Sequence, residues 1–159
     1  MMVRSYDMMI DTEGLPSLSV SNISEYKGKM PSDPKGFVDL LIACFNADRL
    51  AEEHAWLLAL NCKGKLIAIS DVSHGGYCQS LIDLRPIFTR ALILGASHII
   101  IAHNHPSGDP DPSKEDYKTA ERLVEAGALL DVGLIDFLII GKDSYCSFND
   151  KNYIHNRRG

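Results

Sequence analysis

The sequence predicts an α/β protein with a mixed sheet and helices on its faces. Three observations support this fold class: a helical stripe follows Asp33, two apolar runs flank a turn at residues 61–65, and a β-branched run occupies residues 99–102. Helical and strand patterns that alternate along one chain are typical of α/β folds. The 159 residues are close to the size of one ordinary domain.

The N-terminal residues 1–32 have weak periodicity and mix several serines with glycine and proline. We therefore expect an arm with no independent domain, containing one short strand at residues 18–20. The domain itself is expected over residues 33–150, and residues 151–159 are expected to form a C-terminal tail.

The first regular elements are expected to be a helix and a hairpin. Asp33 can cap the helix and Pro34 suits its first turn. One buried stripe then recurs at helical spacing: Phe37, Leu40, Leu41, Cys44 and Phe45. Residues 55–60 and 66–69 are apolar runs around a turn, which predicts two paired strands.

Helices and buried strands are expected to alternate through the rest of the domain. A second helix is predicted over residues 86–95, and a third over residues 113–126 with Gly127 as its stop. Between them, residues 99–102 predict a strand buried on both faces. The last elements are expected to be a buried strand at 134–140 and a short partner at 145–148.

Charge and composition count against several classes of protein. The formal net charge is −5 and no basic stripe is present, which argues against a nucleic-acid backbone as the main partner unless a local patch overrules it. No apolar run reaches the roughly 18 residues of a membrane helix, and no signal peptide is recognisable, so a cytoplasmic protein without a membrane partner is expected. The four cysteines lack C-x-x-C spacing and are expected to be reduced thiols.

The residues most suited to chemistry follow the apolar run at 99–102. His103 and His105 stand two residues apart at a strand end, so they point the same way and Asn104 points away. With Asp116 at the start of the third helix, they form a three-ligand set that suits a catalytic zinc and leaves a fourth position for water. On spacing alone, two packed or surface histidines remain an alternative.

The start of the third helix has a second interpretation. Ser113-x-x-Asp116 has the form of a capping box, which is compatible with metal binding because a rigid first turn can hold a ligating carboxylate. The helix dipole also favours an oxyanion at this end. A general base is needed as well, and Glu52 and Glu53 precede the first core strand, although both equally fit solvated helix-end acids.

The complete pattern is an upstream glutamate, His103-x-His105, seven residues, and Ser113-x-x-Asp116. With this motif, the chain resembles the RadC family, the bacterial branch of the JAMM (MPN-type) zinc metalloprotease superfamily. The resemblance covers the residues from Glu53 through Phe148. The stretch from His103 to Pro110 is close to the RadC form of the motif. Ser73-His74-Gly75 and Leu134-Ile135-Asp136 are also similar to that family.

The resemblance implies a cytidine-deaminase-like JAMM fold, a three-layer α/β/α sandwich with a mixed sheet. It implies Zn²⁺ held by His103, His105 and Asp116. Glu53 is implied as the general base for the metal-bound water, and Ser113 as a group that helps to stabilise the tetrahedral intermediate. The implied reaction is hydrolysis of a peptide or isopeptide bond in a protein or peptide substrate.

The chain departs from the family pattern at two positions. Gly76 stands where threonine is usual, and Phe137 stands where a histidine commonly follows the aspartate. Both departures leave the implied metal ligands intact and bear on substrate recognition.

Two alternatives to a metallopeptidase remain. One is a metal-dependent nuclease linked to DNA repair, which the acidic residues around the motif disfavour because they repel a phosphodiester. The other is a non-enzymatic, DNA-associated scaffold with a structural zinc, which has no need of a general base such as Glu53.

Overall fold

The structure, a computed structural model, describes residues 1–74 and 82–154. Within these residues, seven strands form one mixed sheet and three helices pack on it. In chain order the elements are β1 (Met2–Ile10), β2 (Pro16–Glu25), α1 (Pro34–Phe45), β3 (His54–Leu60), β4 (Leu66–His74), α2 (Leu84–Ile93), β5 (His98–Asn104), α3 (Lys114–Leu130), β6 (Gly133–Ile140) and β7 (Tyr145–Ser147). The spatial order is β2-β1-β4-β3-β5-β6-β7, in which β1–β4 and β5–β6 are parallel pairs.

The sheet is covered on both faces, as the alternation along β3 demonstrates. Trp56 and Leu58 belong to the core that packs against α1, whereas Leu57 and Ala59 belong to the core that packs against α2 and α3. Successive side chains of a strand point to opposite faces, so both sets are buried. The predicted α/β fold with a mixed sheet is confirmed, and its layers are α/β/α.

Strand β5 lies between β3 and β6 and ends at the residues predicted to carry the chemistry. Because β5 and β6 are parallel, α3 must cross over between them, and this returns the chain past the end of β5. The start of α3 therefore lies close to His103. Ligands tend to bind at this edge of α/β sheets.

The helix predictions are right in position and partly wrong in their ends. Asp33 caps α1 by accepting a hydrogen bond from the Gly36 amide, as expected. Helix α2 begins earlier than predicted because Asp83, rather than a residue near Pro86, caps it. Helix α3 does not stop at Gly127 but continues to Leu130.

Gly127 is required by packing rather than by helix termination. A Cβ atom at this position would lie 2.3 Å from the carbonyl oxygen of Val132. The chain leaves α3 through Asp131, which adopts a left-handed conformation, and passes directly over Gly127 on its way to β6. A contact of this kind depends on tertiary structure and has no signature in the local sequence.

The expectation of an arm with one short strand is wrong. Residues 1–32 contain the long antiparallel strands β1 and β2, and this hairpin extends the sheet beyond β4. Ser5 pairs with Ile69 of β4, and the Ser70 hydroxyl donates to the Tyr6 carbonyl at 2.7 Å. The hairpin is largely exposed, so its sequence lacks the regular apolar alternation that identifies half-buried strands.

The remaining expectations concern membrane helices, the cysteines and Gly76. In the described parts of the chain, no helix is long and apolar enough to cross a membrane. Cys44, Cys62 and Cys146 are free thiols, as expected. Gly76 and Cys78 lie outside the described residues.

Candidate metal centre

The structure brings together the three side chains predicted to bind a metal. Nε2 of His103 lies 3.1 Å from Nε2 of His105 and 3.2 Å from Oδ1 of Asp116. Nε2 of His105 lies 3.6 Å from Oδ2 of Asp116. One ligand atom from each residue therefore falls within 4.8 Å of the others, a cluster that could hold a metal ion.

The orientation of His105 leaves the correct nitrogen free for a cation. Its Nδ1 lies 2.7 Å from the carbonyl oxygen of Asp109. A carbonyl oxygen only accepts hydrogen bonds, so Nδ1 carries a proton, and the neutral ring then presents the lone pair of Nε2 to a cation. A ligating histidine commonly donates its other N–H to a carbonyl or carboxylate, which fixes the ring orientation.

His103 is held mainly by packing. Its side chain is fully buried, and its ring contacts that of Phe137 edge-on, with centroids 5.2 Å apart. Its Nδ1 has no hydrogen-bond partner among the described residues. Phe137, one of the two departures from the family pattern, therefore lies directly against a candidate ligand.

Asp116 belongs both to the helix start and to the cluster. Its Oδ2 accepts hydrogen bonds from the amide and the hydroxyl of Ser113, each at 2.7 Å, and its own amide donates to Ser113 Oγ at 3.2 Å. The predicted capping box is thus confirmed. Oδ1 of Asp116 is buried without a hydrogen bond, and such an acceptor is costly unless something compensates it. A cation beside Nε2 of His103 would do so.

The electrostatics of the cluster also suit a cation. Burial opposes the charge of Asp116, but the contacts with His103 and His105 outweigh burial and lower its pKa below the usual range. The Ser113 hydroxyl lowers this pKa further. Asp116 is therefore a charged carboxylate in an almost fully buried position.

Glu53 directly precedes β3, the strand that neighbours β5. Ala55 pairs with His103 at the end of the antiparallel ladder of β3 and β5, and continuing this register by two residues brings Glu53 level with His105. Burial lowers the pKa of His105, but the contacts with Asp116 and with the Asp109 carbonyl raise it by more. The charge of Glu53 also raises this pKa, and the net result is a pKa above the ordinary value. Glu53 is half-buried whereas Glu52 is exposed.

Asn104 is the residue whose role the sequence did not reveal. It points away from the cluster, as expected, but it is only 2% exposed. Its Oδ1 accepts from the His54 amide at 2.7 Å, and its Nδ2 donates to the Glu52 carbonyl at 3.0 Å. The one available signal was chemical: a buried amide in a strand needs partners for both its donor and its acceptor.

A cleft of about 480 Å³ opens beside His105. It is lined by residues 48–51, by residues 105–108, and by Lys142 and Asp143. Its volume lies in the range of sites that bind small molecules or short chain segments. The catalytic and ligand roles of the cluster, of Glu53 and of Ser113 remain predictions at this point.

Comparison with known proteins finds relatives that match most of this chain. The chain is 40% identical over 122 residues to a UPF0758 protein of Caldanaerobacter subterraneus subsp. tengcongensis, which covers 77% of this chain and 52% of the relative. It is 39% identical over 126 residues to a UPF0758 protein of Clostridium novyi, covering 79% of this chain and 53% of the relative. The chain thus spans about half the length of these relatives.

A family model described as "RadC-like JAB domain" matches residues 32–153. The matched region contains every residue of the cluster as well as Glu53, Asn104 and Ser113. The chain belongs to the RadC-like JAB domain family.

Proposed function

We propose that this chain is a zinc-dependent hydrolase that cleaves a peptide or isopeptide bond of a protein or peptide substrate. The observation that carries the proposal is the convergence of two imidazoles and a charged, buried carboxylate. The charge of Glu53 also acts on His105. Three nitrogen and oxygen ligands are the usual set for a catalytic zinc. Membership of the RadC-like JAB domain family supports this reading.

His103, His105 and Asp116 would hold the zinc through Nε2, Nε2 and the carboxylate. When bound, zinc supplies Lewis acidity, which polarises a carbonyl group and lowers the pKa of water. Asp116 Oδ1, buried without a hydrogen bond, is the atom that most clearly fits such a ligand role. Asp109 contributes by fixing the His105 ring through its carbonyl.

Glu53 is assigned as the general base. In this role its carboxylate takes a proton from the attacking water and later delivers that proton to the leaving amine. Glu53 is half-buried and its charge acts on His105, which suits a group that must reach both the attacking water and the leaving amine.

Ser113 is assigned to stabilisation of the tetrahedral intermediate, together with the N-terminus of α3. Its hydroxyl donates to Asp116 Oδ2, so its first contribution is to orient that carboxylate. The cleft of about 480 Å³ beside His105 offers room for a short segment of a peptide substrate next to the cluster.

The first test is metal analysis of the purified protein and its variants. We expect about one zinc per wild-type chain, and strong loss of zinc in His103→Ala and Asp116→Ala. Equal zinc content in all three proteins would overturn the metal assignment.

The second test separates the base from its neighbour. Zinc-loaded protein is assayed on a mixed library of fluorogenic peptides and isopeptide-linked peptides. We expect Glu53→Gln to keep its zinc and lose activity by about 100-fold or more, while the matched variant Glu52→Gln keeps both. The reverse pattern would mean that the base lies at Glu52.

The same samples test the alternatives. Metal-dependent cleavage of single- or double-stranded DNA that is lost in His105→Ala would replace the proposal with a nuclease. A cellular phenotype that Glu53→Gln leaves intact, while His103→Ala abolishes it, would favour a scaffold with a structural zinc.

A further inference from the structure

We propose that Asn104 is a positioning residue, which holds Glu53 at the metal centre by bonding the main chain on both sides of it. The carbonyl of Glu52 and the amide of His54 are its two partners. The catalytic consequence rests on the proposed function, whereas the positioning itself can be measured without activity.

The antiparallel ladder between β3 and β5 ends just before Asn104. Strands β3 and β5 pair from Leu60↔His98 to Ala55↔His103, and the pairing ends there. The next position would set His54 opposite Asn104. At that position the Asn104 side chain, rather than its main chain, bonds the neighbouring strand.

The geometry of the two bonds constrains Glu53 specifically. Asn104 Oδ1 accepts from the residue after Glu53 at 2.7 Å, and Nδ2 donates to the residue before it at 3.0 Å. An amide group is planar and rigid, so it fixes the separation and direction of its two partners. The backbone of Glu53 is therefore bracketed between two short bonds that leave its side chain free.

Side chains at the end of β5 point alternately to the two faces of the sheet. His103 and His105 lie on the side of the sheet that packs against α2 and α3, whereas Asn104 lies on the opposite side. One three-residue segment thus presents two candidate ligands on one face and fixes the candidate base from the other. Any shift of β5 relative to β3 would therefore change the distance between the candidate ligands and the candidate base.

The burial of Asn104 makes this arrangement persistent. At 2% exposure its amide cannot exchange its partners for water at low cost, and both its donor and its acceptor sides are used. Asp71 adds a second restraint on the same segment, since its Oδ2 lies 2.8 Å from Nδ1 of His54.

The test uses three variants. Asn104→Ala removes both bonds, and Asn104→Asp keeps an acceptor for the His54 amide but removes the donor to Glu52. The matched control is Ser70→Ala, which removes another buried side-chain bond to a main-chain carbonyl, that of Tyr6, away from the cluster. Asn104→Asp also serves if Asn104→Ala does not fold.

The first measurement is amide hydrogen exchange by NMR, which needs neither metal nor substrate. We expect the amide of His54 to exchange about tenfold faster in Asn104→Ala, and less so in Asn104→Asp, with no change in Ser70→Ala. Unchanged exchange in Asn104→Ala would overturn the inference.

The second measurement locates the Glu53 side chain with cobalt in place of zinc. We expect paramagnetically shifted Glu53 methylene signals in the wild type, and averaged signals in Asn104→Ala with equal cobalt content. Identical shifts in both proteins would overturn the inference.

The third measurement is kinetic. We expect kcat to fall by about 100-fold in Asn104→Ala with KM nearly constant, a smaller fall in Asn104→Asp, and wild-type values in Ser70→Ala. An equal fall in Ser70→Ala would mean that general destabilisation is responsible. A wild-type protein that binds no zinc and cleaves nothing would overturn the proposed function, while the exchange experiment would still decide the role of Asn104.

Discussion

The central strands and the N-terminal hairpin belong to one sheet but bury their residues very differently. In β5 every residue after His98 is buried, whereas β2 has no buried residue over its whole length. Packing on both faces fixes the register of such strands, because a slip of one residue would move every side chain to the opposite face of the sheet. His103 lies on such a strand and His105 follows directly after its end, so the geometry of the candidate metal centre depends on the core.

The hairpin has a different relation to the site. It precedes the residues that match the RadC-like JAB domain, which begin at residue 32. It joins the sheet at β4, two strands away from β5. We therefore expect changes in the hairpin to alter stability slightly and the metal centre not at all.

The largest expected contrast is between two apolar side chains. Trp56 is 1% exposed in the core beneath α1, while Val20 of β2 is 46% exposed. Trp56→Ala is expected to lower the free energy of unfolding by about 3–5 kcal/mol, and Val20→Ala by less than about 0.5 kcal/mol. Urea unfolding measures both, and comparable losses would contradict the contrast.

Two glycines, one in the core domain and one in the hairpin, are expected to differ less in the stability that their substitution costs. Gly127 allows the close approach of Val132, whereas Gly14 in the hairpin turn has open space around it but a φ of +83°. Gly127→Ala is expected to cost about 2–3 kcal/mol through the clash, and Gly14→Ala about 1 kcal/mol through backbone strain alone. Thermal unfolding of the two variants would measure the difference, and a larger loss in Gly14→Ala would be contrary to it.

The smallest expected effect concerns pH. Asp136 in β6 accepts hydrogen bonds from the Ser147 hydroxyl and from the amides of Phe137 and Asn149. Burial raises its pKa above the ordinary value, although these hydrogen bonds act in the opposite direction. The native state therefore binds this proton more tightly than the unfolded chain does.

The stabilisation that comes from protonating Asp136 is complete below its unfolded pKa and is lost as pH rises through the native pKa. The unfolding free energy of the wild type, relative to Asp136→Asn, should therefore increase as pH falls through that window. The control is Asp11→Asn, which replaces a carboxylate in the exposed hairpin turn by the same amide without changing the buried site at Asp136. A difference that is constant or decreases toward acid pH would contradict the expected sign.

The parts of the site that the sequence predicted are those encoded by short spacings. Two histidines on alternate residues at a strand end and a capping box at a helix start need only local geometry, and both are observed, with His103 in β5 and His105 directly after it. The buried strands were likewise predictable, because a short run of consecutive apolar residues such as 99–102 is typical of a strand buried on both faces.

The roles of Asn104 and Gly127 could not be predicted, because they depend on contacts between distant parts of the chain. Asn104 bonds the Glu52 carbonyl, 52 residues away in sequence, and no local pattern identifies such a partner. Gly127 suggested a helix end because its actual constraint, the carbonyl of Val132, exists only in the folded chain. The hairpin was missed for the opposite reason: too few of its side chains are buried to leave a pattern.

The capping box has a thermodynamic consequence for the protein as a whole. Asp116 uses one oxygen to close the first turn of α3 and leaves the other facing the histidines. Any cation bound by that carboxylate is thereby linked to the fraying equilibrium of the helix, and linkage is reciprocal. Substitutions far along α3 that loosen its first turn should weaken metal affinity, and bound metal should in turn protect the amides at the start of α3 from exchange.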